Sequence, residues 1–299
     1  MARSTDSRKQ GRARQGVAHC AAALSWYPYT CWGASQPGEH IMPYPTFARA
    51  VLGAIVILLL QLAPAQAQFS LFVATSGADA DTCFSPATAC RTLQRALDAA
   101  PAGSKIIVLD SDSFGFVTIN KSIAIAATGV HANVFGSSAT QITINAGPND
   151  AVYLEGLAMG RTVLSGANSG IEFNSGGKLH VRNCVIRNFG TAGIDIRGAG
   201  SKQVFISDCT IANNRHGILA RPGNGNALVF LDRVTVEGNL RDGVRSQGSG
   251  ATVRLNNSTI THNGTGLARM NGGRLISFGN NAIRDNDTDG APTATQPLR

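Results

Sequence analysis

The chain has no apolar run long enough to cross a membrane as a helix. Its longest, residues 50–60 ("AVLGAIVILLL"), is 11 residues, against the roughly 20 that a bilayer core requires. No nucleic-acid-binding motif is present, which with the leader described next argues against a DNA role. Cys83 and Cys90 have no histidine and no second cysteine pair nearby, so a metal knuckle is disfavoured there. Adjacent aspartates never occur. From residue 170 onward the apolar residues do not recur at three- or four-residue spacing, which removes amphipathic helices from the main body.

The short apolar run is instead of the right length for a signal-peptide core. Arg49 precedes it, and Ala65-Gln66-Ala67 follows with small residues at both cleavage positions. Cleavage there would leave Gln68 first. Met42 is the expected start, with residues 42–67 as signal peptide and 1–41 an upstream extension without a pattern of its own. An extended leader or a cytoplasmic tail ahead of an uncleaved anchor is the alternative. The protein is therefore expected outside the cytoplasm (periplasmic, extracellular or cell surface), as a monomer without membrane insertion. Residues 1–67 carry six Lys/Arg and two Asp/Glu, so the formal net charge drops from +8 to +4 on their removal. In an oxidising compartment Cys83 and Cys90, enclosing "FSPATA", read as a disulfide.

What the chain does have is a repeat. Gly170-Ile171, Gly193-Ile194, Gly217-Ile218, Gly243-Val244 and Gly266-Leu267 recur at 23, 24, 26 and 23 residues. A second landmark keeps the same phase: Phe189, Asn214, Asn239, Asn263 and Asn286 each follow an aliphatic residue by three. Within each unit apolar residues alternate, as in Leu179/Val181, Val204/Ile206, Val229/Leu231, Val253/Leu255 and Ile276/Phe278. Period two means strands. Units this small cannot bury their own apolar rows and must stack. Stacked asparagines would then form a hydrogen-bonded ladder at the β-strand spacing of about 4.8 Å.

The Asn ladder, the segment "CRTLQRALDAAPAGSKIIVL" as an N-terminal cap and "VTINKSIAIAATG" as a first coil together resemble the right-handed parallel β-helix proteins of the pectin-lyase-like superfamily. The resemblance covers roughly residues 70–290. It implies an all-β, right-handed parallel β-helix of about seven coils with a short capping helix. The single domain is placed at residues 68–290, with the cap at 83–104 and a disordered tail at 291–299. Leu93, Ala96, Leu97 and Ala100 form the apolar face of the cap helix, and Gly103 is its expected terminator.

The alternation also sorts the outward residues into rows. On the first strand face one row runs His180, Phe205, Phe230, Arg254, Ser277, and its neighbour Arg182, Ser207, Asp232, Asn256, Gly279. Aromatic rings suit the flat faces of sugars, while Arg and His supply charged donors to uronate carboxylates. The resemblance places the substrate cleft along this face. On the third strand Glu172 and Asp195 should stand about 5 Å apart with Arg197 and Arg221 beside them, either as a catalytic carboxylate pair or as a solvated pair neutralised by the arginines. Arg269 falls out of phase with Arg197, Arg221 and Arg245 and is expected to point inward. Residues 170–286 hold 14 Lys/Arg against seven Asp/Glu, whereas 68–169 hold five against seven. This favours an acidic glycan partner.

Family signatures are mostly missing: "RHG" at 215–217 is a fragment, and neither "QDTL" nor "DPHD" occurs. Pectate lyases use a calcium-binding carboxylate cluster with an Arg or Lys base, of which Arg182 near Asp232 is a thin echo; no clear calcium or other cofactor motif stands behind it. The expected function is binding of acidic polysaccharide along the first strand face, with processing left open. The alternatives are a lyase or glycoside hydrolase on uronate-containing chains, with Glu172, Asp195, Arg182 and Asp232 as catalytic candidates, and a structural or adhesive surface protein. Cys184 and Cys209 occupy equivalent positions, either bonded or as free core thiols.

Overall fold

The computed structural model describes residues 69–135, 140–166 and 168–297. The expected leader, signal peptide and Met42 start lie outside the described residues. Three parallel sheets, here called first, second and third, run the length of the described body, with ten, eight and seven strands. The chain visits them in rotation. Lys178–Arg182 lies in the first sheet, Val185–Phe189 in the second and Ala192–Ile196 in the third, and Lys202–Ser207 then re-enters the first sheet. Each strand pairs in parallel with its counterpart one coil later, as in Val204↔Val229, Ile211↔Val236 and Ile218↔Val244. Seven such triplets follow one another from Ser104–Val108 to Thr265–Met270. This is a parallel β-helix, and the first coil begins at Ser104, one strand before the "VTIN" segment expected to open it.

Each sheet contributes stacked aliphatic rows to one continuous core. Leu154, Val181, Ile206, Leu231 and Leu255 pair in register in the first sheet and are all buried. Ile171, Ile194, Ile218, Val244 and Leu267 do the same in the third. A side chain of this size contributes about 1.5–3 kcal/mol when fully buried, so the rows dominate cohesion. The corner between the second and third sheets is polar. There Asn214, Asn239 and Asn263 are buried. Asn214 Nδ2 donates to Asn239 Oδ1 (3.1 Å), Asn239 Nδ2 to Asn263 Oδ1 (2.8 Å) and Asn263 Nδ2 to Asn286 Oδ1 (2.9 Å). Donation runs one way along the stack. Phe189 opens the ladder through its backbone N–H to Asn214 Oδ1, and Asp289, unforeseen in the sequence, closes it by accepting from Asn286 Nδ2.

The N-terminal end is closed by the helix Leu93–Ala99, with Leu93, Ala96 and Leu97 buried. Thr92 caps it by accepting from the Arg95 N–H. Ala100, not Gly103, sets its end: Ala100 is extended, the conformation forced on a residue that precedes proline. Gly103 serves the following turn at φ +83°. Cys83 and Cys90 are disulfide-bonded with Cα atoms 5.0 Å apart, while Cys184 and Cys209 are free and buried.

At the C-terminal end two expectations change. Leu255 pairs with Ser277 and Arg254 with Ile276. The last coil is therefore one residue out of the expected phase, and Ile276, not Ser277, continues the Phe230–Arg254 row. The tail expected to be disordered adds a strand, Ala294–Thr295, to the first sheet opposite Ile276 and Ser277. Arg269 is exposed although it pairs with buried Ser246. Its strand is the last of the third sheet, where no further coil holds its side chain in line. Among the described residues no helix is long and apolar enough to cross a membrane.

Candidate functional site

The register of the first sheet sets His180 opposite Tyr153 on one side and Phe205 on the other, with Phe230 and Arg254 following. Three rings stack along this row. Tyr153 and His180 are 4.5 Å apart between centroids, and His180 and Phe205 4.7 Å, each pair inclined by 12°. Parallel strands impose that spacing, so flat side chains in one row become a ladder. Tyr153 is 46% exposed and Phe205 37%, leaving the outer edge of the ladder open to solvent. Burial first, and the Lys178 charge second, lower the pKa of His180. The ring is therefore neutral at pH 7, a stacking surface rather than the charged donor expected.

Beyond Phe205 the row changes character. Phe230 tilts against Phe278 at 6.0 Å and is only partly exposed. Arg254 stands between Phe230 and Ile276 with Nε buried and without a hydrogen-bond partner. Neither presents a surface comparable to Tyr153.

The neighbouring row is Glu155, Arg182, Ser207, Asp232, Asn256. Arg182 is largely exposed and lies 4.0 Å from Glu155. Asp232 is two coils from Arg182, about 10 Å at the strand spacing, and is engaged by Arg233 and by Asn256 Nδ2 at 2.6 Å. The structure thus does not bring Arg182 and Asp232 together as a base and carboxylate. Between the two rows run adjoining hollows of about 240 and 340 Å³. Both are lined by Arg182, Phe205 and Ser207, the first also by Tyr153 and His180 and the second by Phe230 and Asp232.

On the third sheet Glu172 and Asp195 pair in register as expected, but neither is free. Asp195 is fully buried, and its two oxygens accept from Arg221 Nε (2.8 Å) and Nη2 (2.6 Å). Arg197 binds Glu172 and lies 3.8 Å from Asp195. A carboxylate held on both oxygens by a guanidinium is a poor nucleophile or general base, so these four residues form an ion-pair ladder, and the positive charge of Arg197 and Arg221 is compensated within it. One coil further, Asp242 Oδ2 lies 2.9 Å from His216 Nδ1 and within ion-pair reach of Arg245. Burial alone would raise the pKa of Asp242, but the contacts from His216 and Arg245 outweigh it and hold the carboxyl below its ordinary value.

A carboxyl with a depressed folded pKa adds stability above its unfolded value, near 3.9, and loses it as pH falls through the folded pKa. Asp242→Asn is therefore expected to lower the urea midpoint at pH 7 and to show a smaller further loss than the wild type below about pH 4. Parallel acid limbs for the two proteins would remove the assignment.

Among the described residues no group of three or more His, Cys, Asp or Glu stands together as a metal site. The sequence pattern does not reveal Tyr153, because the coils between 117 and 169 are irregular in length, nor does it reveal the His216–Asp242–Arg245 cluster.

No curated protein sequence matches the chain. Among solved structures it is similar to "pectate lyase Pel9A" at 16% identity, covering 70% of this chain and 74% of that one with a TM-score of 0.38. The family model described as "Right handed beta helix region" matches residues 157–295. Sequence match and stacking register thus agree that this stretch is a right-handed β-helix region, and the described coils before it continue the same right-handed parallel β-helix.

Proposed function

We propose that the protein is a secreted β-helix protein that binds polysaccharide, acidic in kind, along the outer face of the first sheet. The observation that carries this reading is the open ladder Tyr153–His180–Phe205 beside a row of hydrogen-bonding and charged side chains. Ring faces and edges on a rigid sheet suit the C–H faces of sugars, and the adjoining Arg182, Ser207 and Asp232 suit hydroxyl and carboxylate groups. The rungs are spaced by the fold itself, so no loop has to close over a chain lying along them. The site offers binding groups in the open, whereas the carboxylates Glu172 and Asp195 are locked in ion pairs.

Affinity electrophoresis of the full chain through gels containing polygalacturonate, alginate or a neutral glucan tests it. Retardation by an acidic glycan is expected. The double variant Tyr153→Ala/Phe205→Ala should weaken it by at least about tenfold, from two aromatic contacts of roughly 0.5–1.5 kcal/mol each. Phe230→Ala should matter less. Undiminished retardation of the double variant, with its circular dichroism unchanged, would remove the ladder from the site; new reducing ends or ultraviolet-absorbing unsaturated product would add catalysis to binding.

A further inference from the structure

The aromatic face is close to charge balance: Arg182 stands beside Glu155, and Arg233 beside Asp208 and Asp232. The surplus of positive charge lies elsewhere. On and beside the outer face of the third sheet stand Arg197, Arg215, Arg221, Arg241 and Arg245, against the carboxylates Glu172, Asp195 and Asp242. All three carboxylates are taken, by Arg197, Arg221 and Arg245 respectively. Arg215 and Arg241 remain. They occupy consecutive rungs of the corner, with the Arg241 N–H donating to the Arg215 carbonyl at 2.8 Å. Both side chains are exposed, and neither makes an ion pair or side-chain hydrogen bond among the described residues. Two like charges one coil apart repel, so the fold holds them there at a cost that an anion would relieve.

The register shows where that anion would fit. One row of the third sheet reads Glu172, Asp195, Leu219, Arg245. A carboxylate faces the arginines on the first two coils, and at the third the row offers Leu219. Arg245 consequently has no acid beside it in its own row and turns to Asp242, leaving its buried Nε–H without an acceptor. Above buried Leu219 is a hollow of about 140 Å³ walled by Thr191, Arg215, His216, Arg221 and Arg245. Arg215 also lines the adjoining hollow of about 560 Å³, where Arg241 stands.

We propose that this hollow is an oxyanion site that takes one carboxylate or sulfate group, filling from outside the acidic position that Leu219 leaves vacant in the row. Arg215 and Arg245 are its near donors, and Arg241 adds charge at the side. The site is separate from the aromatic ladder and does not depend on it.

Calorimetric titration of the full chain with sodium sulfate and with sodium glucuronate, at ionic strength held constant by chloride, tests the site. Saturable one-to-one binding of at least one of them is expected. A preference for sulfate identifies sulfated ligands as the source, and a preference for glucuronate identifies uronates. Arg215→Gln/Arg241→Gln touches only exposed, unpaired side chains and should weaken binding by about tenfold, the size of one charge-assisted hydrogen bond. Leu219→Asp, which supplies the acid from within, should abolish it, with the melting temperature reporting that the fold survives. Phe205→Ala should leave it unchanged, which separates this site from the glycan face. Absence of saturable binding above the chloride control, or equal affinity of the double arginine variant, would overturn the proposal.

Discussion

Asn239→Leu is expected to destabilise the protein by about 4 kcal/mol, more than any exposed substitution on the same coils. Asn239 is 1% exposed and serves three neighbours at once. Its Oδ1 accepts from the Asn214 backbone N–H (2.9 Å) and from Asn214 Nδ2 (3.1 Å), and its Nδ2 donates to the Ile211 carbonyl (3.3 Å) and to Asn263 Oδ1 (2.8 Å). Leucine matches the volume and restores none of this. Each buried polar group left without a partner costs roughly 1–3 kcal/mol, and the transfer of an apolar side chain into the corner offsets only part of the total. Asn286 is the control. It lies at the end of the ladder, is only partly buried and hands its chain of bonds to Asp289, so Asn286→Leu should cost about half as much. Urea unfolding followed by tyrosine and tryptophan fluorescence measures both. Because each coil is coupled chiefly to its neighbours, the Asn239 variant should also open first to limited proteolysis between residues 214 and 263. A loss below about 1 kcal/mol would mean that the ladder is decoration on a core that holds without it.

The same interval of about 24 residues makes most of this architecture legible in the amino-acid order alone. Wherever a coil has a neighbour on both sides, the parallel register transmits position faithfully: Phe205 does lie over Phe230, and Glu172 over Asp195. Periodicity misleads where that transmission is weakest. At the last coil Ile276 takes the place expected for Ser277, since a strand with few residues beyond it can slip by one without disturbing a long row. In the tail, "DGAPTATQPLR" is polar and proline-bearing, yet Thr293 Oγ1 bonds to the Leu275 carbonyl at 2.7 Å and Gln296 N–H to the Ser277 carbonyl at 2.8 Å. The open edge of the first sheet supplies partners that the tail's own residues do not advertise.

The candidate site is less legible than the fold. Rows follow from periodicity, but the state of a side chain within a row follows from what lies beside it. Asp195 and Glu172 can be read from spacing as a free acid pair, but Arg221 and Arg197 close over them. His180 can be read as a cation, but burial and Lys178 lower its pKa. Tyr153 belongs to the ladder through a pairing 27 residues long, Tyr153↔His180, which a 24-residue period does not find. Charge counted along the chain places the positive surplus on the repeats without saying on which face, and only the ion-pair partners locate it beside the third sheet.

Gly217→Ala is expected to cost about 3 kcal/mol, and the reason explains why glycine precedes an aliphatic residue in every coil from 170 onward. The φ of Gly217 is ordinary, so conformational freedom is not what the position needs. Space is. A Cβ built there would lie 2.4 Å from the Gly243 carbonyl oxygen, 2.6 Å from Val236 Cγ1 and 3.1 Å from Asn239 Nδ2. Gly193 meets the same obstacles one coil earlier, in Ile211 Cγ2 at 2.6 Å and Asn214 Nδ2 at 3.1 Å. At the corner, the chain passes directly over the backbone of the next coil and against the asparagine ladder, and a methyl group would force the coils apart or displace the amide. Overpacking of this kind costs about 1–3 kcal/mol in a tightly packed interior, and the upper end applies because the obstructing atom is backbone held in a parallel ladder. Gly200 isolates the other effect: it has φ +86° and nothing within 4 Å of a built Cβ. Gly200→Ala should therefore cost only the strain of a left-handed alanine, about 1 kcal/mol. Urea midpoints of the two variants decide the matter. If Gly217→Ala were the milder of the two, close approach at the corner would not be what repeats the glycine, and the pairing of glycine with the asparagine ladder would lose its physical basis.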